Sequence, residues 1–157
     1  MRIGIDILGG DYAPGSVLNG AILARESLPV DTEIIFIGDQ NVITRYSEEH
    51  LLDVSGFSVV DAKEAVAMDD HPLKAFREKP RAGLFLGQRL LADGSLDGFC
   101  SAGNTGAMRV GAMQISTSIP GIIRPAIGAP IPNVEGKHLL LLDVGLNPDA
   151  RPEVLYQ

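Results

Sequence analysis

Short, almost unbroken apolar runs recur along this chain, and the segments between them carry apolar residues at helical spacing. Glu33-Ile34-Ile35-Phe36-Ile37-Gly38 is one such run and Leu139-Leu140-Leu141-Leu142-Asp143 another. Neither leaves a polar face, so each reads as a strand buried on both sides. Residues 2–8 form an Ile-rich strand that meets Gly9-Gly10-Asp11. Pro14 opens a helix in which Val17, Leu18, Ala21, Ile22, Ala24 and Leu28 share a stripe, and Pro29 ends it. Fainter signals give a helix at 41–47, a strand at 57–60 and a polar connection at 61–80. Beyond them come a helix at 80–92 opened by Pro80, a strand at 98–101 and a helix at 105–116. Four prolines between Pro120 and Pro132 mark an extended connection with room for a short strand at 126–129. Strands alternating with helices imply βαβ units, right-handed crossovers and a mostly parallel sheet covered on both faces. The fold class is therefore α/β, a three-layer α/β/α arrangement. Without a linker or internal repeat, residues 1–157 read as a single domain.

Charge and composition narrow the function. The formal net charge of −7 would repel a polyanion, and with no Trp, three Tyr and five Phe there is no platform for stacking bases. Nucleic acid is thereby excluded as a partner, while a small anion held by backbone N–H groups is not. The one cysteine, Cys100, has no intramolecular partner and no Cys/His cluster has zinc spacing, so no metal is expected and a reducing cytoplasm fits best. Neither a signal peptide nor a transmembrane run of 18 apolar residues is present.

Three turns follow predicted strands and combine Gly with Asp or Asn. In Ser101-Ala102-Gly103-Asn104-Thr105-Gly106-Ala107 the glycines allow a tight approach, while Ser101, Asn104 and Thr105 offer short donors or caps at a helix start. Converging N–H groups there could hold a phosphate oxygen without a lysine, although a capped β-to-α turn with no ligand accounts for the same residues. Gly9-Gly10-Asp11 is the second turn; its aspartate either shares a crevice with Asn104 or caps the helix near Pro14. Leu142-Asp143-Val144-Gly145-Leu146-Asn147 is the third, with Asp143 and Asn147 as its polar groups. Lys74, Arg77, Lys79 and Arg81 form a cationic set in an acidic chain, read either as a docking patch or as solvated surface. His71 before Pro72 reads as a turn residue and Cys100 as a small core residue.

In order along the chain, Met1-Arg2-Ile3-Gly4-Ile5-Asp6-Ile7-Leu8-Gly9-Gly10-Asp11-Tyr12-Ala13-Pro14, the turn at 101–107, Ile119-Pro120-Gly121-Ile122-Ile123-Arg124-Pro125-Ala126 and Leu141-Leu142-Asp143-Val144-Gly145 resemble the bacterial phosphate acyltransferase family. These PlsX-type enzymes convert acyl carrier protein thioesters to acyl phosphates for phospholipid synthesis. The resemblance implies an isopropylmalate dehydrogenase-like fold, a homodimer, no cofactor, and a chain corresponding to the N-terminal portion of a longer protein. It implies Asn104 and Asp11 as catalytic residues. Gly9, Gly10, Ser101, Gly103, Thr105, Gly106, Asp143 and Asn147 would bind substrate, and Lys74, Arg77, Lys79 and Arg81 the acidic carrier. Any peripheral membrane association would rest on sequence absent here. Two departures stand out: the paired serines expected within 77–83 are missing, and Pro148 and Ala150 differ from the usual pattern. A coenzyme A-dependent phosphotransacylase and a non-catalytic phosphate-binding fragment are the alternatives.

Overall fold

The computed structural model describes residues 1–145, 147 and 149–157; Leu146 of the third turn and the divergent Pro148 lie outside the described residues. Two compact units are present, Met1–Ser116 and Thr117–Gln157.

The first unit holds β1 (Arg2–Asp6), α1 (Gly15–Ser27), β2 (Glu33–Gly38), α2 (Gln40–Glu49), β3 (Ser58–Asp61), α3 (Pro72–Glu78), α4 (Gly83–Ala92), β4 (Gly98–Cys100) and α5 (Thr105–Ile115). Its four strands lie in the order β3-β2-β1-β4 and every pair is parallel. Ile5 stands opposite Phe36 on one side and Cys100 on the other. As expected of a doubly covered strand, β2 sends alternate residues to two cores. Ile34 and Phe36 pack with Leu18 and Ala21 of α1 and Ile43 of α2, whereas Ile35 and Ile37 pack with Leu86 and Leu90 of α4. Phe36 also stacks on Phe57, with ring centroids 4.4 Å apart. Burying a side chain of that size contributes about 1.5–3 kcal/mol, compared with about 0.5–1.5 kcal/mol for a single ladder hydrogen bond.

Three expectations for this unit need correction. Cys100 is not a core residue: it closes the edge strand β4 with its side chain exposed. The 61–80 segment is not only a connection, because α3 occupies part of it: Pro72 takes the first helical turn, Ala75 is buried and Phe76 meets Phe85 edge-on at 5.1 Å. The following helix begins at Gly83 rather than Pro80. Ala82 stays extended because it bridges Glu64, whose carbonyl accepts the Gly83 N–H.

In the second unit β5 (Gly128–Pro132) and β6 (His138–Leu142) form an antiparallel hairpin, followed by α6 (Pro152–Tyr156). Pro130 and Pro132 are tolerated because each strand of a two-stranded ribbon has an open edge. The expectation that 139–143 is buried on both faces fails. Leu139, Leu140, Leu141 and Leu142 are 64%, 62%, 46% and 63% exposed, so neither face is buried by the described residues. A run without a polar face specifies that two layers must cover it, but not where those layers come from.

Candidate functional site

β1 and β4 are parallel neighbours, so the chain leaves both at the same sheet edge and the two turns after them meet. The contact is close enough to require glycine. A Cβ on Gly9 would lie 2.7 Å from Ser101 Oγ and 3.0 Å from Gly103 N, and one on Gly10, at φ 106°, would lie 3.1 Å from the Ala102 Cβ. The structure thus brings Gly9 and Gly10 against Ser101, Ala102 and Gly103.

Ser101 Oγ donates to Asp6 Oδ2 at 2.8 Å and accepts the Gly103 N–H at 3.0 Å. Burial pushes the Asp6 carboxyl above the usual carboxylate range, and the Ser101 hydroxyl and the Leu8 N–H oppose that shift. Asp6 is absent from the sequence-based site. Its signal was a carboxylate closing an apolar strand just before Gly9-Gly10.

Asn104 caps α5. Its Oδ1 accepts the Ala107 N–H at 2.9 Å, and its Nδ2 lies 3.2, 3.1 and 3.0 Å from the carbonyls of Ala67, Met68 and Asp70. The amide is therefore spent on the 67–70 segment and on its own helix, and it offers no spare donor to an oxyanion. The N–H groups of Thr105 and Gly106 have no partner among the described residues, and they stand at the positive end of α5. Gly106 keeps its place because a Cβ would lie 2.6 Å from Pro72 Cγ, so α3 seals this side of the turn.

Among the cations, Lys79 is tied to Asp70 at 2.5 Å and Lys74 lies 3.9 Å from Glu78. The Lys79 ammonium and the Ala67 N–H hold the Asp70 carboxyl below its usual value. The Arg77 and Arg81 side chains are exposed, without an ion pair among the described residues. Asp11 is exposed, and no hydrogen bond joins its side chain to Asn104 among the described residues. Asp143 and Asn147 belong to the second unit. There Asn147 Nδ2 donates to Asp143 Oδ1 at 3.1 Å and to the Pro125 carbonyl at 3.3 Å.

An open cleft of about 430 Å³ lies beside the first site, lined by Ile5, Val17, Gly20, Ala21 and Ala24 together with Ser101. Among the described residues no three His, Cys, Asp or Glu side chains gather to hold a metal ion, and no helix is long and apolar enough to cross a membrane.

Comparison with known proteins adds an independent finding. A family model described as "Fatty acid synthesis protein" matches residues 1–157. The phosphate acyltransferase of Caldicellulosiruptor bescii is 40% identical over 153 residues, covering 97% of this chain and 45% of that protein. Those of Thermosynechococcus vestitus and Oceanobacillus iheyensis are 41% and 40% identical over 157 residues, covering 45% and 46% of their lengths. The chain thus spans a little under half the length of these relatives.

Proposed function

The chain belongs to the fatty acid synthesis protein family, and on that premise we propose that it carries the phosphate-binding part of an enzyme that moves a fatty acyl group from acyl carrier protein to inorganic phosphate. The observation that supports this reading is the meeting of the Gly9-Gly10 and Ser101–Gly103 turns beside the open N–H groups of Thr105 and Gly106. Phosphate is substantially dianionic near neutral pH and needs no strong base. One of its oxygens attacks the thioester carbonyl, a C–O bond forms, the C–S bond breaks, and the carrier leaves as a thiolate. Catalysis then rests on position and on charge stabilisation. Backbone donors preset for an anion cost no reorganisation when the tetrahedral oxyanion develops.

In this reading Asn104 serves the reaction by pinning 67–70 over the start of α5, and exposed Asp11 orients a water or donor at the rim. The cleft along α1 is lined mainly by apolar side chains and reaches Ser101, a composition suited to an acyl chain. Arg77 and Arg81, with Lys74 beside them, supply the charge that an acidic carrier would meet, whereas Lys79 is reserved for Asp70. Asp143 and Asn147, in the second unit, are assigned to substrate binding as well, and the active assembly is a homodimer.

The test is release of free carrier thiol from acyl carrier protein by this chain and by any longer product of the same reading frame, with and without phosphate. Phosphate-dependent release supports the proposal. Release that ignores phosphate would refute it, and equal turnover of a short acyl-coenzyme A would replace it with a phosphotransacylase.

A further inference from the structure

Asp6 closes β1 on the face covered by α4 and is only 4% exposed. Glycine backbone walls both of its oxygens: a Cβ on Gly9 would stand 2.6 Å from Oδ2 and one on Gly83 2.9 Å from Oδ1. The remaining opening is taken by Ser101, whose single proton goes to Oδ2, so that its lone pairs are left for the Gly103 N–H. A hydroxyl that could otherwise rotate is held in one orientation at the point where the chain leaves β4 for α5.

We propose that Asp6 is the positioning residue of the anion turn: its carboxylate sets the direction of the Ser101 hydroxyl and, through it, the place of the Gly103 N–H. This rests on the phosphate reading of that turn and deepens it by naming what holds the turn in shape before a ligand arrives. Filling the volume does not explain the residue, since an apolar side chain would do so without the cost of a buried carboxyl. Nor is Asp6 half of an ion pair among the described residues, where charged groups on the neighbouring elements are engaged elsewhere. Lys63 pairs with Asp39 and Asp61 at the ends of β2 and β3, Glu64 accepts the Arg81 N–H ahead of α4, and Arg89 of α4 donates to the Pro80 carbonyl. Cys100 of β4 is in register with Ile5, on the α1 face of the sheet. Among the described residues the Ser101 hydroxyl is the side-chain donor to the Asp6 carboxylate, and the backbone of Leu8 also favours its ionised form. A proton on Oδ2 makes that oxygen a donor and reverses the Ser101 bond, while a proton on Oδ1 weakens Oδ2 as an acceptor; either change makes the geometry of Gly103 depend on pH.

The experiment follows the Gly103 amide resonance of the labelled chain from about pH 4 to about pH 8, a window around the carboxylate range. It is run on the wild type, Asp6→Asn, Asp6→Ala and Ser101→Ala, each also titrated with inorganic phosphate. The Gly103 shift should titrate in the wild type and stay flat in Asp6→Asn and Ser101→Ala. Phosphate binding should weaken roughly tenfold in Asp6→Ala and Ser101→Ala, about the loss of one aligned hydrogen bond, and Asp6→Asn, which still accepts from the hydroxyl, should recover most of it. A Gly103 titration that persists in Asp6→Asn, or undiminished phosphate binding in Asp6→Ala, would overturn the assignment. If Asp6→Ala does not fold, the other two variants decide. Failure of the wild type to bind phosphate would refute the function proposed above, while the ligand-free Gly103 titration would still decide the role of Asp6.

Discussion

Replacing Asn104 with Ala should cost this fold far more than a lost helix cap. The cap itself, Oδ1 to the Ala107 N–H, is worth about 1 kcal/mol. The same substitution removes an amide that ties the helix start to the Ala67, Met68 and Asp70 carbonyls, 34 to 37 positions earlier in the chain. Two N–H protons shared among three carbonyls add about 2 kcal/mol at the usual net value per bond, for a total near 3 kcal/mol. That is a large fraction of the roughly 5–15 kcal/mol that holds an ordinary domain together. Asn104→Asp separates the two functions, because a carboxylate keeps the cap and suits the positive end of α5 but turns an oxygen toward three carbonyls. It should therefore cost less than the alanine in acid, where the neutral acid donates one proton, and lose that advantage near neutral pH. Urea unfolding followed by circular dichroism measures both variants. A loss below about 1 kcal/mol for Asn104→Ala, or a pH-independent Asn104→Asp, would show that the contacts to 67–70 contribute nothing.

Other outcomes follow from the charges and the exposed surfaces. Arg77→Glu with Arg81→Glu should slow association with acyl carrier protein at low salt and flatten its salt dependence, measured by stopped-flow fluorescence; unchanged rates would make the pair solvated surface. Lys79→Glu should instead loosen the 67–70 segment, read by faster amide exchange at Ala67, whose N–H is held by Asp70 at 2.8 Å. For Asp6 the folded pKa is raised, so its contribution to stability is full below the unfolded value and is lost as pH rises through the folded one. Asp6→Asn should thus resemble the wild type in acid and gain stability relative to it toward neutral pH; parallel stability profiles would contradict the burial argument. Asp70, with its pKa lowered by Lys79, has the opposite sign: its contribution is present above the unfolded value and fades as pH falls through the folded one. Leu140→Lys with Leu142→Lys should reduce self-association of the chain in sedimentation runs, since four consecutive exposed leucines have no cover of their own. Identical sedimentation of the double variant and the wild type would put the association elsewhere.

Local period and turn chemistry carried the β1-α1-β2 order, the parallel class and the helix after Asn104, because those features depend on neighbours a few positions apart. α3 escaped notice for a physical reason. At seven residues it is shorter than two full turns, and its single buried residue, Ala75, makes no stripe that periodicity could detect. The start of α4 was misplaced because Pro80 has the local chemistry of a first helical residue, yet the long-range Glu64 bridge holds Ala82 extended. Apolar content identified β6 as a strand but could not supply its cover, since burial belongs to the assembled layers.

The site divides along the same line, and Asn104 with Asp6 shows why. A Gly-Asn-Thr-Gly turn between a strand and a helix says where backbone N–H groups converge, and that part was legible. Which partner a polar side chain takes there is a matter of what else reaches the turn, and for Asn104 that is a segment 34 to 37 residues away. Asn104 therefore looked like a free donor in sequence and is a fastener in the fold. Asp6 looked like the last residue of a strand and, through Ser101, became the group that sets the turn. The two exchange the expected roles because a buried amide satisfies carbonyls, while a buried carboxylate without a cation must gather donors. Here those donors are the Leu8 N–H and the one hydroxyl at the mouth of the anion turn, which joins the protonation of Asp6 to the shape of the place where phosphate would sit.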